Sequence, residues 1–518
     1  MFKKIILICI LISALSFFIF GQGQNYYVSQ NGSDINDGLS PATSFLTIQK
    51  AANIVMPGDS VFIMNGTYTN QDTLKTIVTI QRSGNLHDPI VFINYPGHSP
   101  LLRFNSWWGI LVEGASHIII EGLNIEGNNS NITLAYAESE SQNLFNPLTS
   151  GSGIGITYRQ VDSVFSEHIV IRKNKIHHCG KHAIYSLYGD WIHIEQNEIF
   201  NNCFYSPEAP SAIVQYRPRR SDDDPRIKMR IEKNKIFNNM NLIPLWSMGE
   251  FFGGHAIEIN NSYYGGLNLC FYPGKTLISN NIIFNNGGSG VLISESYFVH
   301  TIHNTFVSNS AHSQMWVPEI QMQQNYNSQC RNNIIYANNS GIAISGVNNI
   351  DCAGDYNLYD ILWSNQLTGN HDVISADPQF VQLSVLPDVA DFSLLASSPA
   401  IDTAFTDSLV PDDFFGVLRP VGIANDIGAI EFVSTQNIYT VDLLDKISID
   451  VFENKIIITS TEPIRLIRVY DSSGKTHITG ALNDMTATIF ISELRSAIYV
   501  VQVNTRKHQK TQIFSLIQ

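Results

Sequence analysis

The residues best suited to chemistry in this chain lie in three short stretches: KHAIYSL at 181–187, YRPRRSDDDPRIK at 216–228 and HAIEIN at 255–260. His182 and His255 each stand directly before an Ala-Ile pair, and an imidazole serves as general acid or base near neutral pH. Glu258 adds a carboxylate, Tyr185 a phenol able to protonate a leaving oxygen, and Asn260 a neutral amide. Arg217, Arg219 and Arg220 carry planar forks that grip carboxylates through paired hydrogen bonds. Asp222, Asp223 and Asp224 offer the hard oxygen ligands that Ca2+ takes. Each group also has a plainer reading: histidines packed at turns, a solvated glutamate, and a loop whose Arg and Asp residues neutralise one another.

A repeat positions these residues. Aligned on a central asparagine, IRKNKIH, IEQNEIF, IEKNKIF, ISNNIIF, HNTFV, RNNIIY and DYNLY place Asn174, Asn197, Asn234, Asn281, Asn304, Asn333 and Asn357 at intervals of 23, 37, 47, 23, 29 and 24 residues. Two positions further on stand Ile176, Ile199, Ile236, Ile283, Phe306, Ile335 and Tyr359. Each unit carries a second short strand, most opening on a small residue: GIGIT at 153–157, AIYSL at 183–187, AIVQY at 212–216, AIEIN at 256–260, GVLIS at 290–294, EIQMQ at 319–323 and GIAIS at 341–345. Such alternation, split by Asn and Gly turns, forms strands, and a period just above 20 residues stacks them as coils of a parallel β-helix. The longer intervals carry inserted loops at 128–150, 204–228, 240–254 and 261–274. The asparagines are expected to take left-handed backbone and to bond the coils above and below.

Alternation then decides which side chains meet. With Ile257 and Ile259 inward, Glu258 and Asn260 face out. Tyr185, Val214, Leu292 and Gln321 fall in the column of Glu258, and Ser294 and Gln323 in that of Asn260. Asn260, Gln321 and Gln323 are therefore read as substrate-binding, beside His255, Glu258, His182 and Tyr185 as catalytic candidates. Strict alternation turns both histidines inward unless the preceding bend frees them. The columns Lys175, Glu198, Lys235 and Arg172, Glu195, Glu232 read as salt-bridged solvent faces.

The 518 residues are 44% hydrophobic and 15% charged, which suits one long architecture with a large core plus a smaller unit. A net charge of −14 argues against nucleic acid as a partner. Lys3 and Lys4 precede an apolar run from Ile5 to Phe20, the pattern of a secretory signal peptide. No later segment approaches the ~20 apolar residues that span a bilayer, so no transmembrane segment is expected in the mature chain. Cys179, Cys203, Cys270, Cys330 and Cys352 form no CxxC pair and read as buried small hydrophobes, not as a disulfide framework or zinc site.

The stretch NYYVSQNGSDINDGLSPATSFLTIQKAANIVMPGDSVFIMNGTY, from Asn25 to Tyr68, sets Thr47 before a helical face of Ile48, Ala51, Ala52 and Val55. It resembles the N-terminal cap of secreted right-handed parallel β-helix proteins of the pectate-lyase-like kind. DPQF at 377–380, SSPAID at 397–402 and NDIGAIEF at 425–432 resemble the endings of such proteins. This resemblance spans roughly residues 24–433 and implies an all-β, right-handed parallel β-helix with a capping helix. Further on, IRVYDSSGK at 467–475, ISELRSAIYVVQV at 491–503 and residues 511–518 resemble the C-terminal sorting domain of type IX secretion in Bacteroidetes. VFENK stands where that family usually opens on Pro-Asn-Pro, and Ala497 where Gly is common. A small antiparallel β-sandwich that binds carbohydrate is the alternative. The expected layout is a signal peptide at 1–23, the β-helix at 24–433, a linker at 434–442 and the sorting domain at 443–518. The resemblance implies the type IX machinery as a partner and a secreted or cell-surface location.

A polysaccharide is the implied substrate or ligand, with three readings. A lyase acting on an acidic polysaccharide would neutralise the carboxylate with Arg217, Arg219 and Arg220 or bound Ca2+, draw the C5 proton to His255 or His182, and serve the leaving oxygen from Tyr185. Family 9 polysaccharide lyases, which the cap resembles, use an acidic calcium cluster with a lysine base, and the strand at 256–260 carries neither. A glycoside hydrolase would pair Glu258 with Glu295, or with Glu250 or Glu319, across ~5–9.5 Å. A glycan-binding or adhesive surface would stack sugars on Trp246, Tyr263 and Tyr264.

Overall fold

The computed structural model describes residues 23–262, 272–337, 341–361 and 367–433, then 447–451, 455–460, 463–471, 476–480, 486–490, 497–504 and 509–516. Residues 1–22 of the expected signal peptide, the linker expected at 434–442, Tyr263, Tyr264 and Cys270 lie outside the described residues.

Gly23–Phe432 form one compact unit. In it three parallel sheets of eleven, eleven and nine strands wind into a right-handed β-helix. One coil runs through Glu167–Arg172 in the first sheet, Lys175–His177 in the second and Ile184–Leu187 in the third. The next repeats the path through Asp190–Glu195, Glu198–Phe200 and Ile213–Tyr216. Ile176, Ile199, Ile236, Ile283, Phe306, Ile335 and Tyr359 are successive register partners in the second sheet, and all are buried. Burying each such side chain contributes ~1.5–3 kcal/mol, so the column is a main source of cohesion.

The aligned asparagines line the corner between the first and second sheets. Asn234 is typical. Its Oδ1 accepts from the backbone and side-chain amides of Asn197, at 3.0 and 3.0 Å. Its own backbone and side-chain amides donate to Oδ1 of Asn281, at 2.9 and 3.0 Å. The left-handed residue is not the asparagine but its predecessor: Lys173, Gln196, Lys233, Asn280, His303, Asn332 and Tyr356 all have φ between 54° and 58°. That residue swings the corner so that the next side chain points inward. Asparagine is then selected for an amide that gives and takes along the stack, which corrects the reading of these residues as the left-handed ones. A second ladder of Asn202, Asn239, Asn286 and Asn309 lines the next corner, each again preceded by a left-handed residue.

The front of the stack is closed by the helix Ile48–Ala52, which buries Ile48, Ala51 and Ala52. Thr47 caps it, its hydroxyl accepting from the Lys50 amide at 3.1 Å. Asp34 accepts from the amides of Leu46 and Thr47 and from the Thr47 hydroxyl, so its carboxylate shapes the entry to the helix. Residues 380–430 fold back over the outer face of the second sheet, where Phe380, Phe392, Ala400, Ile427 and Ala429 cover Phe237, Phe284 and Val307. That cover explains why outward positions in this sheet are aromatic. Among the described residues no helix is long and apolar enough to cross a membrane.

The carboxy-terminal unit is all antiparallel. Ile447–Val451, Lys455–Ser460 and Thr486–Phe490 make one sheet. Leu466–Asp471, Thr476–Gly480, Ala497–Asn504 and Gln509–Leu516 make another.

Candidate functional site

The outer face of the third sheet assembles most of the predicted site residues. Tyr185, Val214, Glu258, Leu292 and Gln321 are successive register partners, and beside them run Leu187, Tyr216, Asn260, Ser294 and Gln323. Two rungs separate Tyr185 from Glu258, a span of ~10 Å, wide enough for a sugar ring. Toward the front the same column continues through Gly155, Leu111 and Thr79. There it opens into a cleft of about 1070 Å3 lined by Gln49, Lys50, Gln71, Trp107 and Trp108. The Trp108 ring lies over Gly155 so closely that a Cβ would stand 2.6 Å from it, which keeps the floor flat. From Thr79 to Gln321 the floor is eight rungs, roughly 34 Å long.

Glu258 sits in this floor with both oxygens engaged. The Ser211 hydroxyl donates to Oε2 at 2.7 Å and the Asn260 amide to Oε1 at 2.9 Å. Tyr185 is half-buried, its ring stacked on His182 at 4.9 Å and on Trp108 at 6.1 Å. Burial, and after it the neighbouring Tyr216, Glu258, Glu208 and Tyr188, push its phenol up, so it holds its proton. Lys181 and Glu208 pair at 2.7 Å on the flank.

Both histidines are buried beneath this face. The Nδ1 of His182 lies 2.8 Å from the Ser211 carbonyl, which can only accept, so Nδ1 carries the proton. Burial, then Lys181, drives this imidazole down to about 3. In His255 the arrangement is reversed: Nδ1 accepts from the Ser289 backbone amide at 2.8 Å, and burial pushes the ring down to about 4. The proton of neutral His255 is thus on Nε2 and its lone pair is already used. This corrects the reading of His255 as a general base: alternation turned it inward, and a backbone amide claims it. His182 props the Tyr185 ring.

The charged loop divides. Arg217 occupies the left-handed corner directly after Tyr216, with φ 50°. Its backbone amide donates to the Asn260 carbonyl at 3.0 Å, and its guanidinium lies 5.0 Å from the Tyr216 ring. A hydrogen bond to Tyr188 raises its pKa further. Arg217 therefore stands on the rim of the site. Arg219 packs over Phe165 at 4.2 Å, and Arg220 pairs with Asp223. Neither reaches the Glu258 floor through a contact in the structure.

The three aspartates do not converge on one point, against the expectation of a Ca2+ cluster. Asp222 accepts from Lys228 at 2.6 Å, Asp223 from Arg220, and Asp224 from Arg226 at 2.6 Å. Sequence reasoning missed Lys228. It lies where the register of Ile227–Glu232 shifts, and its ammonium is fully buried between Asp190, at 3.0 Å, and Asp222. Tyr272 donates to Asp190 at 2.6 Å in the same cluster. The signal was a lysine in an otherwise regular strand, next to an insertion rich in aspartate.

The other carboxylates are placed apart. Glu295 lies in the left-handed corner column of Arg217. Glu250 is exposed in a loop. Glu319 is fully buried within the coil and bonds Asn309, so it has no access to a substrate. Trp246 is exposed, as the binding reading required of it.

The fold defines a right-handed parallel β-helix protein whose third sheet presents a long outer face of mixed polar and apolar residues. A family model described as Pel9A-like, right handed beta helix region, matches residues 26–188. Among solved structures, pectate lyase Pel9A is similar at 16% identity with a TM-score of 0.49, over 80% of this chain and 97% of that one. A rhamnogalacturonan lyase is similar at 14% identity and a TM-score of 0.40, over 80% and 97%. The GH136 lacto-N-biosidase from Eubacterium ramulus is similar at 12% identity and a TM-score of 0.32, over 65% and 60%. A comparison with curated proteins gives no match.

Proposed function

We propose that this protein binds an extended acidic polysaccharide along the outer face of the third sheet and cleaves it by β-elimination. One observation carries the reading: a carboxylate, Glu258, and a phenol kept protonated, Tyr185, stand two rungs apart in one outward column of a continuous floor. Glu258 takes the C5 proton of a uronate. The C5–H electron pair forms the C4=C5 double bond as the C4–O bond breaks, and Tyr185 gives its proton to the leaving oxygen. Arg217 neutralises the uronate carboxylate and so acidifies the C5 proton. Water then carries the proton from Glu258 to the Tyr185 oxygen, which restores both groups.

The match of residues 26–188 to the Pel9A-like, right handed beta helix region supports the fold on which this face is built. The leader and the carboxy-terminal β unit suit export through the outer membrane by type IX secretion, which would bring the protein to polymers outside the cell.

The test is to incubate the full chain with polygalacturonate, alginate and a neutral glucan, following the ultraviolet absorbance of unsaturated uronates. Unsaturated product from an acidic polymer supports the proposal. New reducing ends without unsaturation would assign hydrolysis instead, and retention without cleavage would reduce the face to a binding surface.

A further inference from the structure

We infer that His193, Glu195 and Glu232, on the outer face of the first sheet, form a binding site for a divalent transition metal of the Zn2+ class. This site is separate from the Glu258 face and does not rest on the proposed elimination. Its origin is in the register. Glu195, on strand Asp190–Glu195, and Glu232, on strand Ile227–Glu232, are direct partners in a column that runs Glu121, Arg172, Glu195, Glu232, Ser279. The other junctions of this column set opposite charges or a neutral residue side by side. Here two carboxylates face each other, an unfavourable arrangement unless a cation lies between them.

The neighbouring bases offset the two charges only in part. Arg172 holds Glu121 at 2.7 Å and reaches Glu195 only at 3.8 Å. Arg230 approaches Glu232 at 3.4 Å, and Lys233 holds Asp412 at 2.6 Å. The close contact is with His193, whose Nε2 is 2.8 Å from Glu232 Oε1 and 3.5 Å from Glu195 Oε2.

The three ligand atoms all lie within 4.8 Å of one another. Tetrahedral ligands ~2.0–2.1 Å from a zinc ion are about 3.4 Å apart, so a small rotation of the Glu195 side chain completes the triangle. One imidazole with two carboxylates suits Zn2+ or Mn2+, whereas Ca2+ takes oxygen ligands alone. The second oxygen of Glu232 is steadied by Arg230 and, at 3.5 Å, by the Ser279 hydroxyl, the outer support that orients a metal ligand. His193 also lines a groove of about 360 Å3 with Trp191, His168 and Lys228, through which an ion and a further ligand can enter.

The experiment strips the full chain with a chelator, then titrates Zn2+ by calorimetry and Co2+ by visible absorbance. One ion per chain is expected. His193→Ala should weaken binding at least ~100-fold and abolish the Co2+ band, and Glu232→Gln should weaken it ~10-fold or more. Glu198→Gln, in a different charge column, should leave binding unchanged. Circular dichroism checks that the variants fold, and Glu232→Gln keeps the test decisive if His193→Ala does not. Absence of saturable binding by the unaltered protein overturns the inference, as does wild-type affinity in both ligand variants.

Discussion

Asn309 ends its ladder on Glu319: its backbone amide donates to Oε1 at 2.7 Å and its side-chain amide to Oε2 at 2.6 Å. The other ladder ends alike, with the Asn357 amide donating to Asp372 at 2.8 Å. Burial outweighs the bonds Glu319 receives and raises it to about 8. The folded protein therefore binds a proton at Glu319 that the unfolded chain releases above its ordinary value of 4.5. This contribution to stability is complete below that ordinary value and is lost as pH rises toward about 8. The slope is at most about 1.4 kcal/mol per pH unit. Glu319→Gln should flatten the decline, read by urea unfolding at several pH values in that window. An equal decline in both proteins would place its source elsewhere.

Asn234→Ala should destabilise the β-helix by about 2–4 kcal/mol. It removes the acceptor of two Asn197 donors and the donor to the Ile194 carbonyl, all buried. Chemical denaturation checks this, and a loss below ~1 kcal/mol would mean that water or a neighbour replaces the amide.

Lys228→Met should cost about 3–5 kcal/mol because it leaves the buried Asp190 carboxylate without the ammonium it pairs with. Adding Asp190→Asn should recover part of that loss. Thermal unfolding of the single and double variants measures the coupling, and strict additivity would contradict it.

On the outer face of the third sheet, Glu258→Gln should reduce turnover by about 100-fold or more with little change in melting temperature. Tyr185→Phe should lower kcat by a similar factor with KM nearly constant, since the phenol acts on the leaving oxygen. Wild-type rates in both variants would remove these residues from the chemistry.

Much of the architecture can be read in the sequence because a stacked coil repeats its side chains in register. The seven aligned asparagines form one ladder, and the columns of Ile176 and of Glu258 contain the residues that alternation assigns them. The second ladder was carried by the Asn-Asn doublets of IFNNC, IFNNM and IFNNG, whose second member is the inward one. Alternation is slightly out of step near the end: Ile344, not Ile342, is the partner of Ile320.

The loops were harder to read. Arg220, Asp222, Asp223 and Asp224 look like a binding set when only neighbours in sequence are considered. Arg220 with Asp223 and Arg226 with Asp224 instead neutralise one another within the loop, and only the reach of Lys228 to Asp190, 38 residues earlier, depends on the fold. The role of His255 likewise depends on Ser289, 34 residues later, and no local pattern announces that bond.

The carboxylates that end the ladders have a consequence for how such a chain can grow. An asparagine hands on a donor for every pair it accepts, so another coil can always be slipped between two others. Glu319 and Asp372 have no side-chain amide with which to pass the row on. Duplicating a coil ahead of them would lengthen the solenoid, whereas one added beyond them would have to begin its own row.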